Sequence, residues 1–224
     1  MTFQELHERL LSWASEGPRA ADLLAAKGIH YAARGEPHEE DRSFEVRVNT
    51  MLDFYLYDWR PAPEGAASGP EGARSTLERF LGEQGATLSP EDQQSYRELA
   101  GNLRGLFEIR KLGEGAVRVR DVFTGVDHEV TERRTLAGVE KGDLLEARLL
   151  PHHGQLLFSG ALLYQPREAR KAILAEVKRL KKAAGKQGTP DVSGFLDLLA
   201  RMAMKVERYR NVRLESIYDF TQRG

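Results

Sequence analysis

The feature that most constrains the fold is a change of apolar periodicity near Leu106. Before this point apolar residues recur at helical intervals, whereas residues 106–160 alternate apolar with polar side chains, as in the run 117–120 (Val-Arg-Val-Arg). Glycine-containing turn signals interrupt this alternation about every ten residues. Closing such strands on themselves hides their edges. We therefore expect a small five-stranded antiparallel barrel or a strongly bent sheet in the middle of the chain.

Helical periodicity flanks this stretch on both sides, so the predicted fold class is α+β. The pattern divides the chain into a helical region (1–60), a flexible loop (61–74), short helices followed by the barrel (75–164) and a basic helical region (165–224). The loop is assigned because its Gly, Pro and Ala residues cannot offset the entropy of ordering. The last region is expected to hold two helices.

Several helix boundaries are marked by capping residues. Thr2 with Glu5 has the spacing of a capping box, and Ser89-Pro90 is typical of a helix start. The stretch from Phe44 to Trp59 fits a 3.6-residue period and is predicted to be one inward-packed helix.

Composition excludes some classes of site. The chain has 224 residues and no cysteine, which rules out disulfides, thiolate nucleophiles and cysteine-ligated metal centres. Its start lacks the pattern of a signal peptide, and no uncharged apolar run approaches the ~20 residues that span a bilayer. A cytoplasmic protein without a transmembrane segment is the expectation.

Charge is distributed unevenly along the chain. Residues 1–100 carry 10 Lys/Arg and 18 Asp/Glu, residues 101–164 carry nine of each, and residues 165–224 carry 14 and seven. The front is thus acidic and the tail basic. Such halves attract each other within one molecule or between copies, or they face different partners.

Two basic surfaces are the candidate binding sites. The barrel face offers Arg110, Arg118 and Arg120, because alternation places Arg118 and Arg120 on one side of a strand. The tail offers a basic amphipathic helix, suited to a phosphate backbone, an anionic membrane surface or an acidic protein patch. Its cations are Arg167, Arg170, Lys171, Lys178, Arg179, Lys181, Lys182 and Lys186.

Each surface also has a simpler interpretation. Phe107, Phe123 and Phe158 could stack on bases, but each is more simply a core residue. The barrel arginines could be a solvated face balanced by Glu108 and Glu146. The basic helix could merely compensate the acidic front of the chain.

Residues able to perform catalysis or bind metals do not form a recognisable set. Glu45, Asp53 and Asp58 are candidate metal carboxylates, but an α-helix places Asp53 and Asp58 roughly 140° apart, and a local partner such as Arg60 suits Asp58 better. His152-His153 is expected on an exposed turn, and His128 lacks an evident nucleophile. We predict no catalytic residue, no cofactor and no metal.

Five segments carry a resemblance to known proteins. They are Asp53 to Asp58-Trp59, 88–91 (Leu-Ser-Pro-Glu), 106–109 (Leu-Phe-Glu-Ile), 120–125 (Arg-Asp-Val-Phe-Thr-Gly) and 142–151 (Gly-Asp-Leu-Leu-Glu-Ala-Arg-Leu-Leu-Pro). This part of the chain resembles a family of uncharacterised bacterial proteins, some of which carry an added cysteine-rich SEC-C zinc motif that this chain lacks. The resemblance implies a fold and no reaction.

Three functions follow from these observations. The first is a non-enzymatic interaction or regulatory module that binds a protein partner or a second copy through a charged surface. The second is nucleic-acid binding by the barrel face and the basic 167–186 helix. The third is an enzyme with an unrecognised carboxylate site, which requires Asp53, Asp58 and a third acid to converge.

Overall fold

Three helices and a π-helical segment occupy the first 60 residues of the computed structural model, which describes residues 1–61, 73–132, 136, 138–185, 188–209 and 211–221. The helices are α1 (Phe3–Ser15), α2 (Arg19–Arg34) and α3 (Phe44–Asp53), and the π-helical segment is Phe54–Asp58. Residues 62–72, most of the predicted 61–74 loop, lie outside the described residues. Two helices follow, α4 (Thr76–Gln84) and α5 (Pro90–Ala100), with a 3₁₀ turn between them.

The predicted capping residues are confirmed. The Thr2 hydroxyl accepts from the Glu5 amide and the Glu5 carboxylate accepts from the Thr2 amide, which completes the capping box of α1. Ser89 accepts from the amide of Asp92 at the start of α5, where Pro90 is the first helical residue. These side chains satisfy amides that have no partner inside the helix.

The middle of the chain is a closed barrel, as the alternation predicts. Its strands are β1 (Leu103–Leu112), β2 (Ala116–Asp121), β3 (Asp127–Thr131), β4 (Leu144–His152) and β5 (Gln155–Phe158), with a two-residue β6 (Leu163–Tyr164) beside β4. The strand order is β1-β2-β3-β5-β4, and β4 pairs again with β1 to close the ring. The fold class is therefore α+β with a central five-stranded barrel.

The expectation of a purely antiparallel barrel is wrong, because β3 and β5 pair in parallel through Thr131 and Leu157. The reason is geometric: an odd number of strands cannot alternate direction all the way around a closed ring. The resulting order, with β3 and β5 as neighbours, is the Greek-key connectivity of OB-fold barrels.

Helices cover the barrel after β6. They are α6 (Arg170–Ala184), preceded by a 3₁₀ turn, then α7 (Val192–Arg208) and a short α8 (Leu214–Ile217). The two predicted C-terminal helices are present, and α8 adds a third. Tyr218, just after α8, is buried and donates its hydroxyl to the Gln165 side chain, so the end of the tail packs on the body.

Three apolar clusters hold these layers together. One lies among the N-terminal helices, one fills the barrel, and one joins α6 and α7 to the outside of β1 and β4. Tyr96 of α5 is fully buried in the first and donates its hydroxyl to the Leu6 carbonyl oxygen. Within the described ranges no helix is both long and apolar enough to cross a membrane.

Candidate functional site

The three barrel arginines of the first candidate surface are all paired with carboxylates of the same chain. Arg120 binds Asp127 through two hydrogen bonds of 2.6 and 3.1 Å. Arg118 lies 3.7 Å from Glu129, the residue opposite it in the register, and Arg110 donates to Glu108 at 3.0 Å. Each of these three arginines therefore has an acidic partner on the barrel.

One expectation about the barrel is wrong and another is confirmed. Glu146 does not balance the outer face, because it is buried on the side of the barrel that contacts the helices. The three phenylalanines are core residues, which is the simpler interpretation given above. Their side chains are buried and contribute no exposed stacking platform; they are Phe107, Phe123 and Phe158.

The arginines of the basic helix are also engaged within the chain. Arg167 donates two hydrogen bonds to Asp143 and lies 3.1 Å from Glu140. Arg170 reaches back to Glu108 at 2.6 Å. Arg179 binds Glu176, one turn away on α6, through two hydrogen bonds. The contacts of Arg167 and Arg170 fasten the start of α6 to the barrel, whereas the contact of Arg179 lies within α6; all three arginines have acidic partners.

Unlike the arginines, the lysines of the same helix are not engaged by acids of the described residues. Lys171, Lys178, Lys181 and Lys182 are exposed, and none of them makes an ion pair among the residues that the structure describes. At 3.6 residues per turn, Lys171, Lys178 and Lys182 lie within about 40° of one another over about 16 Å of helix. We call these three residues the lysine stripe. Lys186 lies outside the described residues.

The opposite side of α6 fixes the orientation of the stripe. Ile173 and Val177 are buried in the cluster shared with α7, as the predicted apolar stripe requires. Because these residues lie about 120–160° around the helix from Lys171, the centre of the stripe, the stripe points away from the body. Arg170 and Arg167 hold the start of the helix against the barrel.

Asp53 and Asp58 do come together, contrary to the expectation that they diverge. Both contact the guanidinium of Arg148: Asp58 through a short hydrogen bond, Asp53 at 3.8 Å. The expected partner of Asp58, Arg60, instead binds Glu78 at 2.6 Å. The 140° estimate assumed an α-helix throughout.

The π-helical segment explains this convergence. The amide of Trp59 donates to the carbonyl of Phe54, five residues earlier, at 2.8 Å. A π-helix turns less per residue than an α-helix, so the five steps from Asp53 to Asp58 bring the two carboxylates back toward one side.

The two aspartates belong to a larger buried charge cluster that joins the helices to the barrel. Arg34 of α2 binds Glu146 at 2.5 Å and Asp197 at 2.8 Å, and Arg104 of β1 binds the same two acids at 2.9 and 3.3 Å. The members of the buried charge cluster are Arg34, Asp53, Asp58, Arg104, Glu146, Arg148 and Asp197.

The two most enclosed acids of the cluster have pKa values shifted in opposite directions. For Asp53, burial dominates and raises the pKa to about 6, since Arg148 offsets it only in part. For Glu146, burial also opposes ionisation, but Arg34 and Arg104 outweigh it and lower the pKa to about 2. A cavity of about 10 Å³ adjoins both acids, enough for about one water molecule and too small for a substrate.

Sequence reasoning missed the cationic half of this cluster. The available signal was in β4, where Glu146 and Arg148 interrupt a strand whose other residues from 144 to 150 are apolar. Charged residues inside a strand buried on both faces need partners, and those partners come from helices distant in sequence.

The histidine candidates do not assemble a metal site. His153 lies on the β4–β5 turn and is exposed, as predicted, whereas His152 is the last residue of β4 and is buried, with its ring centroid 6.1 Å from that of Phe3. His128 stands edge-on to Phe107. No group of three or more ligating side chains with metal-site geometry occurs within the described part of the chain, and Glu45 joins none.

Comparison with known proteins gives a single finding. A family model described as a family of unknown function, DUF7986, matches residues 4–197. Neither the curated proteins nor the solved structures give a match.

Proposed function

The chain belongs to DUF7986, a family of unknown function, and from this premise we propose that it is a non-catalytic interaction module whose lysine stripe binds an acidic protein partner. One observation carries the proposal. Carboxylates of the same chain neutralise the arginines of the two basic surfaces, whereas Lys171, Lys178 and Lys182 have no such partner among the described residues.

The stripe suits an acidic protein surface in length and chemistry. Three ammonium groups along about 16 Å match about three turns of an acidic helix. Exposed single pairs contribute roughly 0–1 kcal/mol each, so such a contact relies on several charges acting together and weakens with salt. Charge complementarity of this kind favours fast association and partner selection over high affinity.

The buried charge cluster supports a non-catalytic function. Acids of the cluster, among them Asp53 and Asp58, lie close together, as the hypothesis of a carboxylate enzyme requires. Each of them, however, faces at least one guanidinium, and the adjoining cavity of about 10 Å³ leaves no room for a substrate. We interpret the cluster as the joint between helices and barrel.

Nucleic-acid binding is the second candidate, favoured by the OB-fold strand order. Barrels of this connectivity bind oligonucleotides on the β2–β3 face. In this chain that face carries Arg118 and Arg120 in ion pairs, and the three candidate aromatics are buried. The lysine stripe alone would have to provide the phosphate contacts, so we rank this function below protein binding.

The setting that we propose is a reducing bacterial cytoplasm. The absence of cysteine suits that compartment, and the resemblance described above points to bacterial relatives. A second copy of the chain is an acceptable acidic partner, because residues 1–100 carry a net charge of −8 (10 Lys/Arg against 18 Asp/Glu).

A capture experiment with two charge-reversed variants tests the proposal. The full chain, immobilised through a tag, is exposed to native lysate of its source cells with and without nuclease treatment. The stripe variant replaces Lys171, Lys178 and Lys182 with Glu. The control variant makes the same change at three exposed lysines elsewhere, Lys27, Lys111 and Lys205.

The expected result is an acidic protein retained by the wild type and the control but lost from the stripe variant, whether or not nuclease is added. Retention that disappears with nuclease supports the nucleic-acid function instead. Sedimentation of the purified chain shows whether the partner is a second copy. If no species depends on the stripe, the proposal is wrong.

A further inference from the structure

A cavity of about 830 Å³ lies apart from the lysine stripe and from the buried charge cluster. It is formed where the start of α3, the end of α7 and the segment after β6 meet. This volume falls in the range of small-molecule sites. Apolar side chains, among them Leu163, Pro166 and Val206, form part of its lining.

Arg47 is the first of two buried donors in this lining. It is 5% exposed, and its Nε and Nη1 donate to Ser43 and to the Ala200 carbonyl. Its Nη2 has no acceptor among the residues that the structure describes. Glu207, which also lines the cavity, uses its two oxygens to accept from the amide and hydroxyl of Ser43.

The charge of Arg47 is therefore poorly compensated. Burial lowers the pKa of Arg47, an effect that Glu207 opposes without contacting the guanidinium. An arginine nevertheless stays protonated in a protein. A buried cation with a free donor is costly unless an acceptor, ideally an anion, completes its surroundings.

Gln165 is the second buried donor. Its side chain is also 5% exposed and lines the same cavity. Its Oε1 accepts from the Tyr218 hydroxyl at 2.9 Å, and its Nε2 has no acceptor in the described structure. Arg47 and Gln165 thus contribute two donors without acceptors to the lining of one cavity.

We propose that this cavity binds a small monocarboxylate with an apolar body, whose two carboxylate oxygens accept from Arg47 Nη2 and Gln165 Nε2. Two donors match the two oxygens of a carboxylate, and the apolar lining accommodates the rest of the molecule. The site is independent of the lysine stripe and of any macromolecular partner.

The surrounding acids favour a monoanion over phosphate. Glu40, Asp41 and Glu207 also line the cavity, and among its cations Arg208 is already paired with Asp41 at 2.6 Å. A ligand near −2 charge would be repelled by these carboxylates more strongly than a ligand of −1. Inorganic phosphate is therefore the discriminating probe.

Calorimetric titration of the full chain tests the site. The probes are isovalerate and phenylacetate, the corresponding alcohols 3-methylbutan-1-ol and 2-phenylethanol, and inorganic phosphate. The informative variant is Gln165→Glu, which keeps an oxygen for the Tyr218 hydroxyl but replaces the free donor with an acceptor. Gln155→Glu, at an exposed position on β5, makes the same change in charge away from the cavity.

The expected result is saturable binding of at least one carboxylate, weakened at least about ten-fold in Gln165→Glu and unchanged in Gln155→Glu. The alcohols and phosphate should bind more weakly than the carboxylates. Circular dichroism establishes that both variants fold. Absence of carboxylate binding, equal affinity in Gln165→Glu, or tighter binding of phosphate would overturn the proposal.

Discussion

Asp53 shows how far a single residue departs from what its sequence position suggests. It ends an amphipathic helix, where a carboxylate is ordinarily solvated, yet it is 5% exposed and lies 3.8 Å from its nearest cation, Arg148. At this distance the two groups form an ion pair without a hydrogen bond. Burial therefore outweighs the cation, and the pKa rises to about 6.

This shift predicts a specific dependence of stability on pH. The folded state keeps the proton of Asp53 while the unfolded state releases it from its ordinary pKa of 3.8, so the wild type loses stability as pH rises from about 4 to about 6. Asp53→Asn removes this loss. Its free energy of unfolding relative to wild type should increase across that window by on the order of 2–3 kcal/mol.

Urea denaturation at a series of pH values measures the difference. Asp127→Asn is the control, because a hydrogen bond from Arg120 lowers the pKa of Asp127 and the expected trend has the opposite sign. Parallel stability curves for wild type and Asp53→Asn would show that Asp53 ionises normally.

The basic character of α6 was predictable from the sequence. Which of its cations form ion pairs was not. The sequence predicted a basic helix that includes Lys171 and Lys178, and both residues lie on α6. The separation of free lysines from neutralised arginines depends on acids from other elements, such as Glu108 of β1 bonded to Arg170. A sequence contains no local signal for such a contact.

At the scale of elements, apolar period and capping chemistry predicted most of the fold. The strands between residues 103 and 158 and the caps at Thr2 and Ser89 follow from local preferences. The π-helical segment Phe54–Asp58 does not, because its residues fit an α-helical period equally well. Closure of five strands requires a parallel pair, but only the structure shows that this pair is β3 and β5.

Arg148 of β4 joins the barrel to the π-helical segment. Replacing Arg148 should therefore lower the free energy of unfolding. Arg148→Met leaves Asp53 and Asp58 without their shared cation, and Asn102 loses a donor. Breaking a buried ion pair from one side costs about 3–5 kcal/mol, whereas an exposed pair contributes about 1 kcal/mol or less. Chemical denaturation of Arg148→Met and of the exposed Arg118→Met measures both.

The expected loss is large for Arg148→Met and small for Arg118→Met. Equal losses would mean that the buried charge cluster contributes no more to stability than a surface pair.

At the scale of the whole molecule, the structure shows which charges of the acidic front and the basic tail are paired with each other. Part of the charge asymmetry is satisfied within the chain, since Arg208 of α7 forms an ion pair with Asp41 of the acidic front. The acidic front and basic tail thus attract each other, as one of the initial alternatives supposed. The lysine stripe on α6 takes no part in these ion pairs among the described residues. The proposed function depends on the lysine stripe.

Lysine footprinting tests the stripe directly in the wild-type chain. An amine-reactive reagent is applied to the purified protein and to the same protein in native lysate, and mass spectrometry quantifies modification at each lysine. Our account predicts that Lys171, Lys178 and Lys182 are protected in lysate while Lys27 and Lys111 react equally in both. Unchanged reactivity of the stripe, or protection confined to other lysines, would contradict it.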